Sequence, residues 1–199
     1  MHRNSQKRLS IRDGTYFITT NTKDRFPYFE NDIFSDLLVL HLELCKFLYG
    51  VDIYAYKINP EHIHILIGVG EDTGLSKVMN VLKGNFSRDA NRMMNHIEGE
   101  LHIEGDPPEG RLQTMGRIQR DKIHDQFHIR IRDEINTFIF KCDHESFANI
   151  PKFQWHKSFH DHYIRDERDF YHHIQYIQNQ WIKHSLKENK YCYIMEDIL

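Results

Sequence analysis

The chain has 199 residues, of which 40% are hydrophobic, 13% aromatic and 28% charged, a profile that excludes disordered, collagenous and fibrous classes. Its formal net charge of -3 argues against a protein that coats nucleic acid non-specifically, because such proteins display a large basic excess. Cys45, Cys142 and Cys192 are widely spaced and form no C-x-x-C pair, so neither a disulfide framework nor a zinc ribbon is indicated.

The acidity is local. Residues 95–150 hold 7 of the 26 basic and 11 of the 29 acidic residues, which leaves 19 against 18 in the rest. The first eleven residues are polar and basic, and no stretch approaches the ~18 apolar residues of a membrane span. A cytoplasmic protein with no membrane contact is expected, folded as a single domain over residues 1–199 with an insertion at about 95–150.

Residues 15–20 (TYFITT) follow Asp13-Gly14, a turn dipeptide, and are β-branched and aromatic, which predicts a first strand. Asn31 then stands where a helix cap is wanted. Ile33, Phe34, Leu37, Leu38, Leu44, Cys45 and Leu48 recur near helical spacing, with Gly50 as the C-terminal stop. Residues 52–58 and 62–69 are strand-like runs joined by Asn59-Pro60-Glu61, predicting an antiparallel hairpin. A second, amphipathic helix places Leu75, Val78, Met79, Leu82, Phe86 and Met93 on one stripe. Beyond residue 95 the pattern loosens. Residues 159–164 predict a last strand, and 167–187 one long helix with Phe170, Ile174, Ile177 and Trp181 as its buried stripe. The order βαββα, insertion, βα predicts an α+β fold, a ferredoxin-like antiparallel sheet with helices packed on it.

Side chains two apart on a strand share a face, so His62 and His64 present two imidazoles together while Ile63, Ile65 and Ile67 turn to the opposite side. That pair is a bidentate metal platform, although in a chain with 15 histidines such a pair can also be two hydrogen-bonding side chains. On the last helix His172, Tyr176 and Gln180 stand at i, i+4 and i+8, and Lys183 continues the same side. Gln180 offers an amide oxygen as a third ligand. Tyr176, a phenol with a pKa of ~10, can act as a nucleophile only where charge on the attacked phosphate is stabilised.

Residues 59–67 (NPEHIHILI) resemble the HUH motif (His, hydrophobic, His) of single-tyrosine transposases, and residues 155–165 (WHKSFHDHYIR) with 171–177 (YHHIQYI) resemble the strand and tyrosine-bearing helix of the REP-associated branch. The similarity spans residues 11–95 and 153–185. It departs from that branch at Gln180-Trp181, where Asn-Pro is usual, and in the acidic segment before Phe153. The resemblance implies an HUH nuclease fold and a transposase that cleaves single-stranded, often hairpin-forming DNA through a 5'-phosphotyrosine. Tyr176 would be the nucleophile, His62, His64 and Gln180 the ligands of Mg or Mn, and Glu61 and His172 supporting residues. Lys77, Lys83, Arg88, Arg92, Arg165, Arg168 and Lys183 are the candidate DNA contacts, and a homodimer is compatible with the family. Two other readings fit the residues: a non-catalytic nucleic-acid-binding protein on the same fold, and a hydrolase whose metal activates water.

Overall fold

The structure, a computed structural model, describes residues 11, 13–70, 73–95 and 117–198. Strand β1 (Thr15–Asn21) buries alternate residues, Tyr16, Ile18 and Thr20, as period-2 patterning requires. Helix α1 (Asp32–Tyr49) starts where the Asn31 side chain accepts a hydrogen bond from the Ile33 amide and stops at Gly50, left-handed at φ 54°. Strands β2 (Asp52–Asn59) and β3 (His62–Gly68) form the expected hairpin, with Asn59 in the strand opposite His62 and the turn narrowed to Pro60-Glu61. Helix α2 (Leu75–Met93) follows, and every residue of its predicted stripe is buried.

Of the segment expected as an insertion, residues 117–150 contribute to the same core. Within it α3 (Arg117–Lys141) packs Ile131, Ile135 and Ile139 beside α1 and α2, and Phe147 closes the cluster from a short 3-10 turn. The predicted run over 159–164 narrows to β4 (His160–Tyr163).

The predicted single helix over 167–187 is a correction. It divides into α4 (Glu167–Gln178) and α5 (Gln180–Lys183), broken at Asn179, whose φ of -92° and ψ of 3° leave the helical basin. Trp181, predicted on the buried stripe, is only half-buried as a result, whereas Ile174 and Ile177 are buried. A short last strand that sequence periodicity did not predict, β5 (Cys192–Ile194), pairs with β2.

All neighbouring strands are antiparallel, in the order β4-β1-β3-β2-β5. The first four reproduce the ferredoxin-like arrangement, and β5 covers what would be the β2 edge. Helices α1, α2 and α3 pack on one face through Ile63, Ile65 and Ile67, while α4 packs on the other through Leu66, Ala55, Ile174 and Ile177. Register matters because a one-residue slip of β3 would bring the isoleucines to the α4 side and bury the histidines in the main core. Each isoleucine buried is worth roughly 1.5–3 kcal/mol, so the slip is strongly disfavoured. A bulge between Ile53 and Ala55 turns Tyr54 onto Phe170 of α4. Gly68 permits this, since a Cβ there would stand 2.8 Å from the Tyr54 hydroxyl.

Candidate metal and tyrosine site

Three strands and the last helices build the site. His62 and His64 lie on β3 at 6% and 4% exposure, on the face opposite the isoleucine core. The register sets Asn59 of β2 beside His62 and Thr19 of β1 beside His64. Each ring is held by its Nδ1: His62 Nδ1 is 3.0 Å from Glu61 Oε1, and His64 Nδ1 is 2.8 Å from Thr19 Oγ1. Glu61 in turn faces Arg25 at 3.6 Å. The Glu61 carboxylate can only accept, which places the His62 proton on Nδ1 and leaves its Nε2 as a lone pair, whereas the Thr19 hydroxyl can donate to or accept from His64 Nδ1.

The two Nε2 atoms stand 3.2 Å apart, and His64 Nε2 is 3.1 Å from Gln180 Oε1. Gln180 is 1% exposed and its Nε2 donates to the Tyr176 carbonyl at 3.2 Å, which aims the oxygen at the histidines. Burial, with His62 alongside, pushes the His64 imidazolium pKa down to about 3, and burial likewise lowers that of His62. Both rings are therefore neutral at pH 7, the form that ligates. Donor atoms ~2.1 Å from an ion and at right angles lie ~3.0 Å apart, whereas tetrahedral donors spread to ~3.4 Å. The spacings found here, 3.2 and 3.1 Å, lie between the two, and two neutral imidazoles with an amide oxygen are a donor set that fits a divalent cation.

Tyr176 lies over this group. Its ring is 5.2 Å from the His64 ring and 5.5 Å from Phe17, both edge-on, while Phe17 stacks on His64 at 5.3 Å. Lys183 Nζ donates to the Tyr176 hydroxyl at 3.0 Å and sits 5.0 Å above the ring. Side chains on a helix lean toward its N-terminus, which lets a lysine seven residues later reach back to the phenol.

His172 is exposed; the histidine on the Tyr176 side is His173, 4.5 Å from Phe17. The site column runs 173, 176, 180, an i, i+3, i+7 progression, whereas successive steps of four drift about 40° each around the helix. Phe17, Thr19, Asn59 and His184, whose ring is 4.9 Å from His62, also border the site. Cross-strand register brings in the first three, and no local spacing signals them.

The predicted cationic residues divide between the two faces. Lys77, Lys83, Arg88 and Arg92 ride on α2, with the sheet between them and His62. Of these, Lys77 lies over the Tyr49 ring, Lys83 donates to the His156 carbonyl at 2.8 Å, and Arg92 meets Asn136 at 3.4 Å. Arg165, Arg168 and Lys183 are exposed on the α4 and α5 side. Tyr54 and Tyr56 pack on Phe170 and Tyr193. A hollow of about 640 Å³ between α1 and α3, lined by Leu40, Ile129 and Phe138, is on the helical layer remote from the histidines.

Among the described residues His162, Asp169 and His173 form a second group able to hold a metal ion, with ligand atoms within 4.8 Å of one another. Its carboxylate is already engaged: Asp169 Oδ2 accepts from His162 Nε2 at 2.9 Å and from Arg165 Nε at 3.1 Å. Burial alone would raise the Asp169 pKa, but the bonds from His162 and Arg165 outweigh it and hold the carboxyl well below its ordinary range.

The site is therefore a pair of buried histidines on an antiparallel, ferredoxin-like sheet beneath a helix-borne tyrosine. The family model described as "Transposase IS200 like" matches residues 10–105, the stretch that bears His62 and His64. Tyr176 and Gln180 lie outside the matched stretch. Among solved structures the chain is similar to a REP-associated tyrosine transposase bound to a REP hairpin, at 17% identity, with 92% of this chain and 76% of that one covered and a TM-score of 0.47. It is also similar to a putative transposase from Deinococcus radiodurans R1, at 14% identity, 90% and 98% coverage and a TM-score of 0.44. No curated protein matches. Among the described residues no helix is long and apolar enough to cross a membrane.

Proposed function

We propose that this protein is a metal-dependent endonuclease of the transposase type, which cleaves and rejoins single-stranded, hairpin-forming DNA through a 5'-phosphotyrosine. The observation that carries the reading is the convergence of His62 Nε2, His64 Nε2 and Gln180 Oε1 beneath the Tyr176 ring. His62, His64 and Gln180 would hold Mg or Mn, which supplies positive charge to the scissile phosphate and helps to orient it.

In the cleavage step the Tyr176 oxygen bonds to phosphorus and the bond from phosphorus to the 3' oxygen breaks. The phenol proton passes to solvent and the departing 3' oxygen takes one up. One fragment then ends in a 3'-hydroxyl, and the 5' phosphate of the other is esterified to the protein. Attack by a second 3'-hydroxyl reverses the exchange, so the joining step consumes neither ATP nor water. Lys183, already bonded to the phenol oxygen, neutralises the phenolate both as it attacks and as it leaves. Phe17 packs against His64 and Tyr176 together, holding nucleophile and ligand in one block.

Arg165, Arg168 and Lys183 share the site's side of the sheet and are the phosphate contacts favoured by position. Lys77, Lys83, Arg88 and Arg92 would touch DNA only where it passes around a sheet edge to the other layer. A water-activating hydrolase needs no phenol at the cation; a Tyr176 hydroxyl held by an ammonium favours covalent chemistry. Incubation with a 3'-labelled hairpin oligonucleotide and Mn²⁺, followed by denaturing electrophoresis, tests this. A labelled protein band that disappears in Tyr176→Phe supports the reading, and cleavage that persists in that variant contradicts it.

A further inference from the structure

We propose that Asn59 is a further ligand of the cation, through its side-chain oxygen. This rests on the metal reading of the His62–His64 pair and adds a residue that the HUH spacing does not include.

Asn59 and His62 face each other across the Pro60-Glu61 turn, so the hairpin register sets their side chains on the same face of the sheet. Asn59 is 1% exposed, and its Oδ1 is buried with no hydrogen-bond partner among the described residues. Buried polar atoms in folded proteins are rarely left so, and an orphan calls for a ligand, an ion or water. Its other amide atom, Nδ2, is 3.1 Å from His62 Nε2. Because His62 Nδ1 is turned to the Glu61 carboxylate, Nε2 carries the lone pair, and Nδ2 donates to it. That is the lone pair a cation takes.

With a cation seated, an N–H aimed at its position is repelled. A half-turn of the amide exchanges Nδ2 and Oδ1 with almost no change of shape. It removes the repelled donor and puts the orphaned oxygen 3.1 Å from His62 Nε2. Three successive edges, Asn59 to His62, His62 to His64 and His64 to Gln180, then measure 3.1, 3.2 and 3.1 Å. The ligand set becomes two imidazoles and two amide oxygens, and the added oxygen suits the harder ions, manganese and magnesium, over zinc.

The test is Mn²⁺ binding to the full chain, read from the EPR signal of free Mn²⁺, with inner-sphere water counted by proton relaxation. Asn59→Ala is expected to weaken affinity about tenfold, within the range that loss of one ligand-sphere contact produces, and to add one bound water. Asn59→Asp, which supplies oxygen but no N–H, is expected to keep the wild-type water count. If Asn59 serves only as a donor to His62, Asn59→Ala binds Mn²⁺ as tightly as wild type or more tightly, which overturns the proposal and leaves the histidine platform standing. Should Asn59→Ala not fold, a bound-water count in Asn59→Asp one higher than in wild type overturns it instead. If His64→Ala leaves Mn²⁺ affinity unaltered, the metal reading itself falls, and this inference with it.

Discussion

Two histidine-rich clusters lie on the same face of the sheet, and they differ in what their lone pairs are doing. Around His162, Asp169 and His173 the carboxylate is saturated by an imidazole and a guanidinium, and His173 Nδ1 is 2.8 Å from the Asp169 carbonyl. Around His62, His64 and Gln180 the outer Nδ1 atoms are held by Glu61 and Thr19, and the inner atoms converge at successive distances of 3.2 and 3.1 Å with no carboxylate or cation among them. The first arrangement ties β4 to the start of α4; the second leaves an electron-rich pocket. Residue type alone would favour the first as a metal site, because it includes a carboxylate. Satisfaction of the donors and acceptors favours the second.

The comparison breaks most sharply at the proposed nucleophile. Tyr176→Phe is expected to remove covalent DNA adduct entirely, a loss of at least about a thousandfold in cleavage, while leaving Mn²⁺ affinity within about threefold by EPR. Next in size, His64→Ala is expected to cost a hundredfold or more, on the order of 3 kcal/mol, in Mn²⁺ affinity, whereas His162→Ala changes it little; equal losses would erase the distinction between the clusters. Asp169→Asn probes the other side. It weakens the bonds to His162 and Arg165, so urea unfolding should show a loss of about 1–3 kcal/mol with metal affinity retained.

The smallest effect is one of pH. His62 and His64 have folded pKa values below the ordinary histidine value of 6.5, so the unfolded chain binds more protons once the pH drops beneath it. Stability of the metal-free protein should therefore be complete above about pH 6.5 and decline as the pH falls toward about 3. His64→Gln should flatten that decline, and an unchanged slope in urea melts at pH 7 and pH 5 would count against a buried neutral His64.

Much of this was legible in the chain because local rules governed it. The alternation around His62 and His64, the Asn31 cap, the Gly50 stop and the α2 stripe each follow from a period or a terminal residue. What escaped did so for identifiable reasons. The break at Asn179 replaces an ordinary helical residue with a tertiary demand, that Gln180 turn inward to His64 while Ile177 stays in the core. β5 spans three residues, too few for a period, and exists because β2 offers an open edge. His173, not His172, faces the site because the helix face advances by three and then four residues, whereas steps of four drift around it. Asn59, Thr19 and Phe17 reach the site across strands, a register that a single sequence does not state.

The central claim is that the cation belongs at the inner atoms of the β3 histidines and Gln180. Crystals of the protein soaked in Mn²⁺ and measured for anomalous scattering address it directly. The account predicts one strong peak bounded by His62 Nε2, His64 Nε2 and Gln180 Oε1, with Tyr176 above it. A peak seated on Asp169 between His162 and His173, with none at β3, would contradict it.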